Sequence, residues 1–162
     1  MSARAAIEWK LSAFDALNVV ELYELLRLRT EVFAVEQNCA FQDMDGSDAQ
    51  AMHLMGSHNG ALLAYARCFP AGIKFAEVSI GRVVTRRQVR GSGLGHRLMQ
   101  QALSSVCTLW GVQPIRIGAQ ARLKEFYCQH GFVDAGKPYI EDGIDHLEMI
   151  WQPGTLVLGA YK

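Results

Sequence analysis

The stretch Gly81-Arg82-Val83-Val84-Thr85-Arg86-Arg87-Gln88-Val89-Arg90-Gly91-Ser92-Gly93-Leu94-Gly95 sets a strand, a glycine-rich turn and a helix start in immediate succession. Its first part closes a β-rich run, Val78 to Thr85, which predicts a central strand. Its last part opens a run whose apolar positions, Leu94, Leu98, Ala102, Val106 and Leu109, keep the helical period as far as Trp110. Glycines at 91, 93 and 95 let successive backbone N–H groups converge without a Cβ in the way, and the helix amino terminus adds partial positive charge. Such a turn suits a phosphate or pyrophosphate. Five arginines (82, 86, 87, 90 and 97) and no acidic residue lie between positions 82 and 97, which points to a small polyanion. The dinucleotide fingerprint G-x-G-x-x-G fails, because His96 stands where the third glycine belongs. A P-loop fails too, since no Lys-Ser or Lys-Thr pair completes it. What remains is Arg90-x-x-Gly-x-Gly, or, on the plainer reading, a tight strand-to-helix turn with solvated arginines.

Upstream, Ala6 to Leu11 reads as a first strand. Asn18 with Glu21 forms a capping-box pattern ahead of a long helix carried by Leu22, Leu25, Leu26, Arg29, Val32 and Phe33. A polar stretch follows from Gln37 to Gln50, then apolar runs Met52 to Ser57 and Ala61 to Phe69. His58-Asn59-Gly60 between those runs is a hairpin signal, and Pro70-Ala71-Gly72 ends the second strand. Downstream, Gly111 suits the end of the helix that starts at Leu94. Ile115 to Ala119 reads as a short strand, Arg122 to His130 as a helix stopped by Gly131, and His146 to Trp151 as a last strand. The order β, α, β-hairpin, then β-α-β-α-β predicts a mixed α/β fold with helices on both faces of a sheet.

A chain of 162 residues fits a single domain over 1–162. Sixteen basic residues balance sixteen acidic ones, so no global field draws the chain to nucleic acid or an anionic membrane. The first residues lack an apolar h-region, with Glu8 and Lys10 interrupting early, and no run approaches a spanning helix; a cytoplasmic protein is expected. Cys39, Cys68, Cys107 and Cys128 lie far apart, three of them in apolar runs, and read as free structural thiols. The five histidines show no ligand spacing, so no metal is expected.

Arg82-Val83-Val84 followed by Arg90-Gly-Ser-Gly-Leu-Gly95 resembles the acetyl-CoA-binding motif of the GNAT superfamily of N-acetyltransferases. Glu125-Phe126-Tyr127-Cys128-Gln129-His130-Gly131-Phe132 is similar to the family's second motif, and Gln120 stands roughly where many members carry Asn. Val35-Glu36-Gln37-Asn38-Cys39, Asp45-Gly46-Ser47-Asp48, His53-Leu54, Ala119-Gln120-Ala121 and Glu141-Asp142-Gly143-Ile144-Asp145-His146 extend the likeness to the bacterial ElaA-like subgroup, over about residues 8 to 151. The resemblance implies a central, twisted, mostly antiparallel mixed sheet flanked by helices. It implies that acetyl-CoA lies along Val83, Val84 and Thr85, with an amide near Val84 polarising the thioester carbonyl. Arg90, Gly91, Ser92, Gly93, Leu94 and Gly95 would then hold the pyrophosphate. Tyr127 matches the residue that acts as general acid in many relatives; its plainer reading is a core aromatic.

The acceptor implied is a small-molecule or protein amine. The general base is open among Glu36, His53, Glu77, Glu141, His146 and water. Glu36, Asp43, Asp45 and Asp48 occupy a stretch without a basic residue, which would attract a cationic amine or simply be a solvated turn. Two further readings compete with the transferase: a non-catalytic acyl-CoA sensor and a nucleotide-binding domain of another kind. A homodimer is compatible with the sequence, and the apolar tail Thr155 to Tyr161 would add a strand or pack on the domain.

Overall fold

A computed structural model describes residues 6–154; the tail from Thr155 lies outside the described residues. Strand β1 (Glu8–Ala13) leads through a 3-10 turn to helix α1 (Val19–Arg29). The expected capping box starts α1: Asn18 Oδ1 accepts from the Glu21 amide (2.8 Å), and the Asn18 amide donates to Glu21 Oε1 (3.0 Å). The helical run does not stay α-helical to Phe33, as its apolar spacing suggests. It widens into a π-helical turn, Thr30–Glu36. There follow β2 (Met52–His58), β3 (Ala61–Phe69), β4 (Ser79–Thr85), α2 (Leu94–Trp110) and β5 (Ile115–Gln120). The chain closes with a short α3 (Lys124–Cys128), β6 (Val133–Glu141) and β7 (Ile144–Trp151).

The strands form two antiparallel ladders, β1-β2-β3-β4 and β5-β7-β6. Among the described residues a single parallel bridge, Val78 to Ile115, joins them, with the Arg116 amide donating to the Val78 carbonyl at 2.8 Å. Beyond that bridge β4 and β5 belong to separate ladders, so the centre of the molecule is a wedge-shaped gap. One core holds α2 (Leu94, Leu98, Met99, Ala102) against Ala64, Ala66, Cys68 and Ile80 and, across the gap's closed end, Ile115, Ile117 and Met149. The other face of β2 to β4 receives Leu25, Leu28 and Val32 against Met55, Tyr65 and Val84. Helices therefore cover both faces, as the element order predicts.

Strand β6 is absent from the sequence reading. Gly136, Pro138 and three charged residues break its alternation, and its side chains are mostly exposed because it is an edge strand. All four cysteines are free thiols, and burial pushes Cys68 up to about 12. No helix among the described residues is long and apolar enough to cross a membrane.

Candidate active site

Regular alternation would put Ile80 and Val84 on one face of β4, yet Ile80 packs under α2 and Val84 under α1. An extra residue explains the reversal. Tyr65 pairs with Val84 and Arg67 with Gly81, so Arg82 and Val83 together oppose Ala66 alone. Arg82 occupies the bulge with φ +49, a left-handed conformation that usually calls for glycine. Past the bulge, the Arg86 amide donates to the Leu63 carbonyl (2.8 Å). By the alternation of an antiparallel ladder, Val84 then bonds toward Tyr65, and the N–H and C=O of Thr85 face the gap. The Thr85 carbonyl does face outward, accepting from Arg90 Nε (3.3 Å) and Nη2 (3.0 Å).

A cleft of about 300 Å³ fills the open end of the wedge. Of the residues singled out in the sequence, Val83, Val84, Thr85, Arg90, Gly95, Gln120 and Tyr127 line it. Gly91, Ser92 and Gly93 form the turn above it, and Leu94 is buried as the first core residue of α2. Gly91 and Gly93 both take positive φ (86° and 85°). Gly93 is the N-cap of α2 and brings no side chain to the first-turn amides, which leaves them open to an external acceptor.

Tyr127 is 7% exposed, and burial pushes its phenol up to about 12, so the proton stays on oxygen at working pH. Gln120 reaches across to the π-turn, donating to Gln37 Oε1 at 3.2 Å. The π-turn supplies Val32, Phe33 and Glu36 to the same cleft, and its C-cap Gln37 joins them, a contribution the apolar pattern gives no sign of. Gly118 also lines the cleft, and the Tyr139 hydroxyl lies where its Cβ would be (2.2 Å). A glycine inside a predicted strand is the signal that marked this close approach.

Three of the five arginines are not disposed as the polyanion reading supposes. Arg82 Nε donates to Asp43 Oδ1 (2.7 Å), Arg86 to the Leu62 carbonyl (3.0 Å) and Glu31, and Arg90 to Glu36 and Thr85. Arg90, Arg87 and Arg122 nevertheless gather near Glu36, whose carboxyl the Arg90 hydrogen bond holds below its usual range. The rim of the cleft is basic.

The acidic stretch is corrected more sharply. Arg29, fully buried, donates to Asp43 Oδ2 (2.8 Å) and Asp48 Oδ1 (2.8 Å). Arg67, 3% exposed, donates to both carboxylate oxygens of Asp45 (2.9 Å each) and to Asp48 (3.0 Å). Asp43, Asp45 and Asp48 are therefore neither a solvated turn nor a lure for a cation. They neutralise arginines that the loop buries against the sheet.

The candidate bases separate by position. His53 is fully buried outside the cleft. Its Nε2 must donate to the Asp48 carbonyl (2.9 Å), so its Nδ1 accepts from the Tyr65 hydroxyl (2.6 Å), and burial lowers its pKa. Both nitrogens are engaged. Glu77 lies at the closed end, held bidentately by Arg116 (3.0 and 3.2 Å). Glu36, Glu141 and His146 do line the cleft. His146 Nδ1 must donate to the Ile144 carbonyl (2.7 Å), which in the neutral ring leaves the lone pair on Nε2, 3.7 Å from Glu141 Oε2.

A divided sheet, a bulged strand at the split and a glycine-capped helix at its mouth form one arrangement, and residues 22–153 match the acetyltransferase (GNAT) domain model. The chain belongs to the GNAT family of acetyltransferases. This GNAT member is 41% identical over 145 residues to protein ElaA of Escherichia coli, covering 88% of its own length and 95% of ElaA. A UPF0039 protein of Schizosaccharomyces pombe is 39% identical over 145 residues (88% and 95%), so the subgroup's likeness is not confined to bacteria. Among solved structures, an acyl-CoA N-acyltransferase from Pseudomonas aeruginosa superposes with a TM-score of 0.86 at 42% identity, covering 90% of this chain and 99% of that one. Crystalline E. coli ElaA gives 0.84 at 40%, with 91% and 100% covered.

Proposed function

We propose that the chain is an acetyl-CoA-dependent N-acetyltransferase that moves the acetyl group to a primary amine by direct transfer. The carrying observation is the split between β4 and β5, which leaves the β4 edge, including the Thr85 backbone, facing a cleft that ends under the uncapped start of α2. An extended thioester-bearing arm fits along such an edge, and its pyrophosphate fits the first-turn amides and the basic rim.

The amine attacks as the free base, its nitrogen bonding to the thioester carbon while a backbone amide of the bulged strand steadies the carbonyl oxygen. His146 Nε2, backed by Glu141, is the group best placed to take the amine's proton. The C–S bond then breaks. A free thiol titrates near ~8.5, so full proton loss from a phenol at about 12 is uphill. Tyr127 therefore supports the departing sulfur as a hydrogen-bond donor. The proton that ends on sulfur is the one the amine gave up, and N-acetylated product plus CoA thiol balance the reaction.

Calorimetric titration with acetyl-CoA tests the binding half of this reading. Saturable binding that CoA displaces and ATP or NAD does not is the expected result. Gly93→Val, which puts a β-branched residue at φ +85, should weaken binding ~10-fold or more. Unchanged affinity in that variant would take the turn out of the site.

A further inference from the structure

We infer that Asp43 is a positioning residue for the acyl-transfer strand, acting through Arg82, an inference that rests on the proposed thioester site along β4. Arg82 is the one non-glycine residue within a strand among the described residues to take a positive φ. The bulge calls for a left-handed residue, and glycine would fill that place without strain; an arginine there has to be held. The hold comes from outside the strand. Arg82 Nε donates to Asp43 Oδ1 (2.7 Å) and Nη2 to the Asp43 carbonyl (3.1 Å), gripping side chain and backbone of one residue.

Asp43 is itself fixed. It is 7% exposed, and its second carboxylate oxygen takes Nε of the fully buried Arg29 (2.8 Å), which also bonds the Asp43 carbonyl (3.2 Å). The grip therefore runs from α1 through the loop to the bulge. Arg82 borders both the cleft and a second cavity of about 440 Å³ that shares Gly81 and Gly118 with it. The loop that carries Asp43 thus sets the one backbone angle deciding which groups of residues 83–85 face the gap.

The prediction is that backbone conformation, not the charge at 82, is what the reaction needs. Arg82→Ala and Asp43→Asn should each lose the constraint, and misplacing a donor by about an ångström costs ~100-fold in rate. Arg82→Gly should retain activity within about threefold of wild type, because glycine takes φ +49 unaided. Asp43→Asn combined with Arg82→Gly should be more active than Asp43→Asn alone. Asp43→Asn combined with Arg82→Ala removes the same unpaired charge without glycine's backbone freedom, so a merely structural role predicts equal rescue by alanine and glycine, and a positioning role predicts rescue by glycine alone.

The readout that needs no acceptor is the infrared carbonyl stretch of carbonyl-labelled acetyl-CoA bound to the protein. Hydrogen bonding lowers that frequency. Wild type and Arg82→Gly should show the shift, and Arg82→Ala should lose most of it. If bound acetyl-CoA shows no shift even in wild type, the oxyanion reading of β4 fails. If wild type shifts and Arg82→Ala shifts equally, or Arg82→Gly falls with Arg82→Ala, the positioning role fails. Should Asp43→Asn not fold, the Arg82 pair decides alone.

Discussion

Asp48 accepts from two buried arginines at once, Arg29 through Nη1 (2.8 Å) and Arg67 through Nη1 (3.0 Å). Removing its charge leaves two guanidiniums short of an acceptor in an interior that screens them poorly. Breaking one side of a buried ion pair costs about 3–5 kcal/mol. Asp48→Asn, which keeps the volume and one acceptor oxygen, should sit near the lower end, at about 3 kcal/mol in urea unfolding. A loss under 1 kcal/mol, or an unchanged stability with a raised KM for amines, would restore the acidic loop to substrate attraction. At this scale the sequence was least legible. Asp43, Asp45 and Asp48 look unopposed along the chain because their partners, Arg29, Arg67 and Arg82, arrive from three different elements. His53 was ambiguous for the same reason: only the packed structure brings the Asp48 carbonyl and Tyr65 hydroxyl to its two nitrogens.

Between elements, the packing of α3's end on the start of α2 carries a pH dependence. His130 Nε2 and His96 Nδ1 lie 2.9 Å apart, so one nitrogen donates its N–H and the other accepts through a lone pair. Burial first, and the neighbouring His96 second, lower His130 to about 4 from 6.5. The unfolded chain then binds a proton between those values that the folded one does not. Stability from this group is full above pH 6.5 and falls as pH drops toward 4, by up to about 1.4 kcal/mol per pH unit. The lowered carboxyls of Asp45 and Asp48 add to the loss below about pH 4. Unfolding midpoints measured from pH 8 to 4 should be flat to 6.5 and then decline; His130→Gln should make the decline shallower, the rest belonging to His53, whose pKa burial also lowers. A wild-type profile level down to pH 5 would contradict the assignment. Elements were the best-read scale: α2 begins and ends at the residues its period and glycines indicate. The π-turn and the β4 bulge escaped, since each is an insertion of one residue's worth of backbone that leaves the apolar pattern nearly intact.

For the molecule as a whole, one core ties the two ladders together at their closed end and leaves the other end apart. The fold thus builds a cleft whose floor is a strand edge, whose mouth is a helix start, and whose walls hold Tyr127 and His146. The strand-turn-helix segment was legible in the sequence, and the structure sets its glycine-capped helix start at the mouth of the cleft. The rest of the cleft draws on residues from the π-turn, β6 and β7, which only the assembled sheet brings together. The most direct test of acyl transfer at this cleft is thiol release from acetyl-CoA by the purified protein across a panel of amines and peptides, with Tyr127→Phe as control. The account predicts acceptor-dependent release that falls ~100-fold in the control while acetyl-CoA still binds. Tight acetyl-CoA binding with no release for any acceptor, or release untouched by the substitution, would contradict it, the first outcome favouring a sensor and the second removing Tyr127 from the chemistry.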